Sequence, residues 1–339
     1  MAKMSIAEAL RETIRAEMRR DPRVFCLGED IGISGGFGGA FTVTLGLSDE
    51  FGHERILDTP ISEAAIAGLA IGAAAAGLRP IADVQYGDFL FNMMDQLANQ
   101  AAKLRYMSGG TLAVPMVMRA PVGATGRGSQ HAQSLEAFFT HVPGLKVVAP
   151  STAYDAKGLL LAAIRDDNPV LMFEHKLLYG SKGARTEKGA LSPVGEVPDE
   201  DYIVPIGQGI VRREGADVTI VATLLMVYRA LAAADKLAEQ GIQAEVIDPR
   251  TLVPLDKALI LESVRKTGRL LIVEEDNLTN GWGAEVAALM ADEAFAYLDA
   301  PIKRLAAPDV PPPFAPILEQ AYVPSEAKII ATARAMCGL

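Results

Sequence analysis

One stretch constrains the fold of this 339-residue chain more than any other: Asp58-Thr59-Pro60-Ile61-Ser62-Glu63, running into the small-residue segment Ala64 to Gly77. Arg55-Ile56-Leu57 reads as the end of a short buried strand. Pro60 forbids a smooth continuation, and Ser62 suits a helix N-cap. The segment that follows, AAIAGLAIGAAAAGL, is Ala, Gly, Ile and Leu throughout. A helix without charge on any face is expected to be buried on every face. Gly68 and Gly72 share a face, which lets another backbone approach closely. A membrane span needs about 20 strongly apolar residues, and this segment is too short and too small-sided for that. Glu63 is left as a lone carboxylate at the mouth of an apolar helix. One reading makes it a first-turn acid that complements the helix dipole. The other makes it a carboxylate of raised pKa, suited to exchanging a proton with a bound ligand.

Length and charge narrow the field. The chain is long enough for two domains, each with its own core. Its 32 basic and 42 acidic residues give a net charge of −10. That balance argues against nucleic acid as a partner, and no basic stripe overrides it. Cys26 and Cys337 stand in contexts that suggest neither a disulfide nor a metal site. The N-terminus MAKMSIAEALRETIRAEMRRDP lacks a signal-peptide core, and its glutamates argue against a transit peptide. It reads as the first helix of the fold, with Ser5 to Glu8 matching a capping box. The expectation is a cytoplasmic protein with no membrane segment.

Along the chain, short apolar runs alternate with helical patterns. Strands are expected at Val24–Leu27, Ile81–Gln85, Pro115–Arg119, Leu145–Ala149 and Val170–Glu174, with a long helix from about Asp88 to Tyr106 and another from Ser151 to Arg165. The strand runs are continuously apolar, the signature of a parallel sheet covered on both faces. From Leu178 to Gly207 the pattern dissolves into Gly, Pro, Lys and Glu, as a linker would, with room for a short strand. A second α/β unit follows, with strands at Val218–Ala222, Val246–Ile247, Leu270–Val273 and Ile302–Leu305. The fold class is α/β with two parallel-sheet domains, at residues 1–190 and 207–339, joined by a linker at 191–206.

Among four histidines His131 is the best placed. It sits in the glycine-rich loop PVGATGRGSQHAQS just after a strand, where open α/β sheets put ligands. Histidine is also the usual proton carrier near neutral pH. His175, in FEHKLLYG, ends a strand and is a second candidate, whereas His53 and His141 read as surface residues. The chain carries no zinc spacing, no serine-nucleophile elbow and no HExxH. Nor does it carry Gly-Asp-Gly followed by a distant asparagine; Tyr86-Gly87-Asp88-Phe89 only touches that pattern.

The blocks LDTPISEAAIAGLAIGAAAAGLRPI, DQLANQAAKLRYMSGG, QHAQSLEAFFTHVPGLKVVAPSTAYDAKGLL, AAIRDDNPVLMFEHKLLY and VIDPRTLVPLD resemble the beta subunit of thiamine-diphosphate-dependent 2-oxo acid dehydrogenases. These are the decarboxylating components of the pyruvate, branched-chain 2-oxo acid and acetoin complexes. The resemblance covers essentially the whole chain. It implies a transketolase-like pyrimidine-binding domain followed by a transketolase C-terminal domain. Glu63 then matches the glutamate that bonds the cofactor's aminopyrimidine ring and promotes the tautomer that takes the thiazolium carbon proton. Phe89 matches the ring stacked on the pyrimidine, Gln85 and Ile61 fall in the same pocket, and His131 matches the histidine of substrate positioning and acyl transfer to lipoamide. The resemblance also implies a potassium site of mainly backbone oxygens at Val114, Met116, Val117, Ala163, Asp166 and Asn168.

The missing Gly-Asp-Gly motif now carries meaning. Thiamine diphosphate needs magnesium and donors for its diphosphate. By the resemblance, an alpha subunit supplies both, in an α2β2 heterotetramer with the cofactor at the interface, and the complex docks to a lipoyl acyltransferase core. The Gly68/Gly72 face would be a close-contact surface. Pyruvate is the first-choice substrate, ahead of acetoin and then branched-chain 2-oxo acids, because Gln130-His131 resembles pyruvate and acetoin subunits. A reading of another class, a silent scaffold subunit, is disfavoured by the joint presence of Glu63, Phe89 and His131.

Overall fold

The computed structural model describes residues 1–33, 36, 38–180, 191 and 193–339. Part of the glycine-dense loop that follows the strand expected at Val24–Leu27, and most of the stretch from 181 to 192 at the start of the linker region, therefore lie outside the described residues.

The first sheet has seven strands in the spatial order Thr251–Val253, Lys146–Val148, Val170–His175, Val117–Val122, Arg79–Asp83, Val24–Gly28, Ile56–Asp58. All neighbours run parallel except Thr251–Val253, which reaches over from the second half of the chain and pairs antiparallel with Lys146–Val148. Both faces are covered, as continuous apolar runs require. Cys26, Ile81, Val117 and Met172 point into one core, with the helices Ile6–Arg20 and Ala153–Arg165. Leu27, Ala82, Met118 and Leu171 point into another, with the helix Glu63–Ala75 and the helical segments from Gly87 to Met107. The alternation is the period of two that a pleated strand imposes.

The second sheet runs in the order Lys303–Ala307, Leu270–Asn277, Val218–Ala222, Ala244–Asp248, Ile210–Arg213, with only the last pairing antiparallel. Val194–Val197 turns back to pair antiparallel with Ala2–Ser5. Just after that N-terminal strand, Ser5 and Glu8 form the expected capping box.

Three local expectations change. The helix Glu63–Ala75 is not buried all round: Ile66, Ala67, Ala70, Ile71 and Ala74 are buried, while Ala64, Ala65, Leu69 and Gly72 are exposed. Lack of charge marks a face that is to be covered, but this chain covers only one of the two. Ser62 occupies the N-cap position, yet its side chain makes no capping hydrogen bond. The long helix from Asp88 to Tyr106 is a 3-10 segment Gly87–Met93, a π-helical segment Asp95–Ala101 and an α-helix Ala102–Met107. Such π segments recur beside functional sites, where they redirect the side chains on either side of them.

Candidate active site

Parallel strands put all their carboxyl ends on one edge, and the loops leaving that edge are where open α/β sheets bind ligands. The register aligns Gly28 with Asp58 and with Asp83, Asp83 with Arg119, and Val122 with His175. Glu29, Thr59, Gln85, the His131 loop and Lys176 therefore leave from the same rim.

Beneath the rim the Arg119 side chain fixes three strands to each other. Its Nε and Nη2 bind the Glu174 carboxylate at 2.9 and 2.6 Å, and its Nη1 binds Asp83. The Tyr179 hydroxyl donates to Glu174 at 2.6 Å. Arg119 and Glu174 are deeply buried, so removing either would strand the other's charge at a cost of about 3–5 kcal/mol. Burial pushes the Asp83 carboxyl up to about 6, against the pull of Arg119. The network holds the strand end from which Gln85 projects.

At the mouth, Gln85 Nε2 donates to the Glu29 carbonyl at 2.6 Å. Glu63 is half-buried at the first position of its helix. The Glu29 carboxyl is raised above the usual range, first by burial and then by the charges of Asp30, Glu63 and Asp58. Its named charged neighbours among the described residues are all acids. The Thr59 hydroxyl is buried there with no hydrogen-bond partner among the described residues, an orphaned polar atom beside the carboxylates. Ile61 is three-quarters exposed, at the lip rather than in a closed pocket. Among the described residues no three His, Cys, Asp or Glu side chains converge as metal ligands.

Across the mouth lies an aromatic cluster. The imidazole of His131 stands edge-on to Tyr86 and to Phe89, with centroids 5.0 and 5.3 Å away, and those two rings meet edge-on at 5.8 Å. The buried Lys176 ammonium donates to the His131 carbonyl and lies 5.0 Å over the Tyr86 ring. Gln133, two residues after the histidine, is tied to Asp88 through its side chain at 2.7 Å. The structure therefore brings together Glu63, Gln85, Phe89 and His131 on one rim.

His175 lies elsewhere in the machinery. It is 2 % exposed, its Nδ1 accepts from the Leu177 N–H at 3.1 Å, and its Nε2 therefore carries the proton toward Glu275 at 2.9 Å. Burial would raise the Glu275 carboxyl, but His175 and the Ala124 N–H hold it below the usual range. Gly123 has φ +96°, and a Cβ there would sit 2.1 Å from His175 Nε2, so only glycine fits. His175 thus joins the two sheets under the His131 loop.

The six residues of the suggested potassium site come from segments that do meet: Val114 N–H donates to the Asp167 carbonyl at 3.3 Å, and the Met116 carbonyl accepts from Val170 at 2.9 Å. Arg79 Nη1 already donates to the Ile164 and Asp166 carbonyls at 2.9 and 3.0 Å.

Sequence reasoning passed over Glu29, Thr59, Tyr86 and Lys176 as site members. In the sequence Tyr86 stands out only as part of an incomplete Gly-Asp-Gly pattern, and Lys176 only within EHKLLY. Position gave the usable signal: each follows a strand end on the rim that holds Glu63.

With this geometry in place, the comparisons decide the family. The transketolase pyrimidine-binding domain matches residues 2–182, and the transketolase C-terminal domain matches residues 207–329. The 2-oxoisovalerate dehydrogenase subunit beta of Bacillus subtilis is 48% identical, covering 98% of this chain and 98% of its own. The chain belongs to the 2-oxo acid dehydrogenase beta-subunit family. Within that family, the acetoin:2,6-dichlorophenolindophenol oxidoreductase subunit beta of Cupriavidus necator is 49% identical, over 98% of this chain and 97% of the relative. The pyruvate dehydrogenase E1 component subunit beta of Rickettsia felis is 46% identical, over 98% of both. A solved split-gene transketolase, described as an inactive beta4 tetramer, shares the fold with a TM-score of 0.76 at 24% identity, covering 100% of this chain and 99% of its own.

Proposed function

We propose that this chain is the beta subunit of a thiamine-diphosphate-dependent 2-oxo acid dehydrogenase, with pyruvate as its substrate, active only when paired with an alpha subunit in an α2β2 heterotetramer. Residues 1–190 would form its pyrimidine-binding lobe and 207–339 its C-terminal lobe, joined at 191–206. The observation that carries the reading is the chemistry of the rim. A half-buried Glu63, a Gln85 amide, an orphaned Thr59 hydroxyl and the half-buried ring of Phe89 suit a flat heterocycle that donates and accepts hydrogen bonds. A diphosphate is unsuited to the same mouth, because Glu29, Asp30, Asp58 and Glu63 would repel it. Magnesium and diphosphate donors would then come from the alpha subunit. The exposed apolar side of the Glu63 helix, Leu69 at its centre, is a surface such a subunit could cover.

When bound, the cofactor supplies a carbon nucleophile that attacks the 2-oxo carbonyl and then takes up the electrons released with carbon dioxide. Glu63 would hold a proton at the pyrimidine nitrogen, from its half-buried place at the first position of its helix. Phe89 would present a face to that ring, and Gln85 and Thr59 would fix its edge. His131 would position the substrate and move a proton as the acyl group passes to lipoamide on the acyltransferase core. Its carbonyl is held by Lys176 and its ring by Tyr86 and Phe89, so its orientation would survive turnover. The pair Gln130-His131 resembles pyruvate and acetoin subunits, which supports pyruvate. At the Val114–Val117 and Ala163–Asn168 carbonyls a potassium ion would use the lone pairs that the backbone hydrogen bonds leave, with Arg79 competing for Asp166.

The test is steady-state oxidation by the reconstituted α2β2 enzyme. Pyruvate is expected to give the highest kcat/KM. A far higher value for 3-methyl-2-oxobutanoate or for acetoin would overturn the substrate assignment, and no turnover with any of the three would overturn the function.

A further inference from the structure

The loop that carries His131 is held from the second half of the chain. Gly123, Gly126 and Gly128 all adopt positive φ, so the loop gives up much conformational freedom when ordered. Its own ties include Gly123 N–H to the Gln133 carbonyl at 3.1 Å and His131 N–H to the Gly128 carbonyl at 3.2 Å. The remaining ties are long-range. Ala124 N–H donates to Glu275 on the second sheet. Further along the loop, Gly126 N–H donates to the Glu319 carboxylate, and Ser129 Oγ donates to the Pro312 carbonyl at 3.0 Å. The Phe314 ring packs over Gly128, where a Cβ would lie 3.4 Å away.

These last three partners belong to one segment. It leaves the second sheet at Ala307, where Leu278 N–H donates to the Ala307 carbonyl at 2.9 Å. Asn277 Nδ2 fastens Pro308 at 2.7 Å, and Thr279 Oγ1 fastens Asp309 at 2.7 Å. Pro311-Pro312-Pro313 then crosses to the His131 loop, with φ fixed at each proline. The helix Pro316–Tyr322 follows, anchored by the buried Tyr322. The segment is therefore pinned at both ends and stiff in its middle, and its inward groups meet the loop at three successive points.

We propose that the segment 307–322 positions the His131 loop, with Glu319 as its principal positioning residue. This rests on the reading of His131 given above. A carboxylate that accepts a main-chain N–H makes one of the stronger kinds of neutral–charged hydrogen bond. It fixes the loop five residues before the histidine, while Ser129 fixes it two residues before.

The experiment uses the reconstituted α2β2 enzyme with Glu319→Ala, Glu319→Gln, Ser129→Ala and His131→Ala. Two quantities are read: amide hydrogen exchange in peptides covering 123–134, and the rate of lipoyl-domain acylation set against reduction of an artificial oxidant. In Glu319→Ala, loop exchange should rise about tenfold or more, since a charged hydrogen bond is lost. Acylation should fall by a similar factor through kcat, and oxidant reduction should fall less. Glu319→Gln keeps an acceptor oxygen and should restore both. Ser129→Ala, which leaves the helix untouched, should move both in the same direction by a smaller factor, about threefold to fivefold. Unchanged loop exchange in both Glu319→Ala and Ser129→Ala would overturn the proposal, as would equal losses in the Ala and Gln variants. His131→Ala acylating at the wild-type rate would instead refute the reading of His131, and the exchange data would still decide what holds the loop.

Discussion

The imidazole of His131 meets the ring of Phe89 edge-on, with centroids 5.3 Å apart. One residue leaves the sheet after the strand Arg79–Asp83 and the other after Val117–Val122, two neighbouring parallel strands. The residue proposed to stack on the cofactor ring and the residue proposed to position the substrate are thus direct neighbours. The roles proposed for Glu63 and His131 can be separated by the step each one serves.

Glu63 should act before substrate arrives. Glu63→Gln keeps the shape and a hydrogen bond but cannot hold the proton, so exchange of the thiazolium carbon proton should slow by about 10²–10⁴-fold, the range for losing a general acid–base group. His131→Ala should leave that exchange nearly unaltered and slow acyl transfer to lipoamide instead. Proton–deuterium exchange on the reconstituted enzyme reads both variants. Loss of exchange in His131→Ala with retention in Glu63→Gln would reverse the assigned roles.

The contact between the sheets makes stability depend on pH. Glu136 is buried, and burial followed by the charge of Asp276 raises its carboxyl well above the usual range. Asp276 is pushed up to about 6 and Glu274 to about 7, both chiefly by burial. A carboxyl whose folded pKa exceeds its unfolded one binds more protons in the folded state between those two values. Stability from this cluster is therefore full at pH below about 4 and falls as pH rises through about 7. Glu136→Gln removes the cost of stripping that proton. It should raise the melting temperature at pH 8, by an equivalent of about 1–3 kcal/mol, and raise it less at pH 5. Thermal melts at the two pH values check this; a variant less stable than the parent at both would contradict it.

Much of this architecture was legible in the chain itself. Continuous apolar runs such as Val170–Phe173, set between helical patterns, read as strands covered on both faces, and Glu63 and His131 each follow a strand read this way. Three things were not legible, for physical reasons. The Glu63 helix is apolar on every face, and composition cannot say whether the second face meets this chain or another. The segment from Gly87 to Met107 has a helical composition, but the i→i+3 and i→i+5 turns it uses leave no mark in a pattern of period 3.6. The strand expected to end at Val273 continues to Asn277 through Glu274-Glu275-Asp276, because each acid finds a partner in the fold: Arg304, His175 and the Ala137 N–H, respectively. Three successive acids ordinarily signal solvent, and only tertiary contacts reverse that.

An acidic rim that is half of a cofactor site needs a second subunit to complete it. Calorimetric titration of thiamine diphosphate with magnesium into the chain alone, and into the chain combined with its alpha subunit, measures this directly. The predicted result is no saturable binding to the chain alone and tight, magnesium-dependent binding to the combined subunits. Tight, magnesium-dependent binding to the chain alone would contradict it.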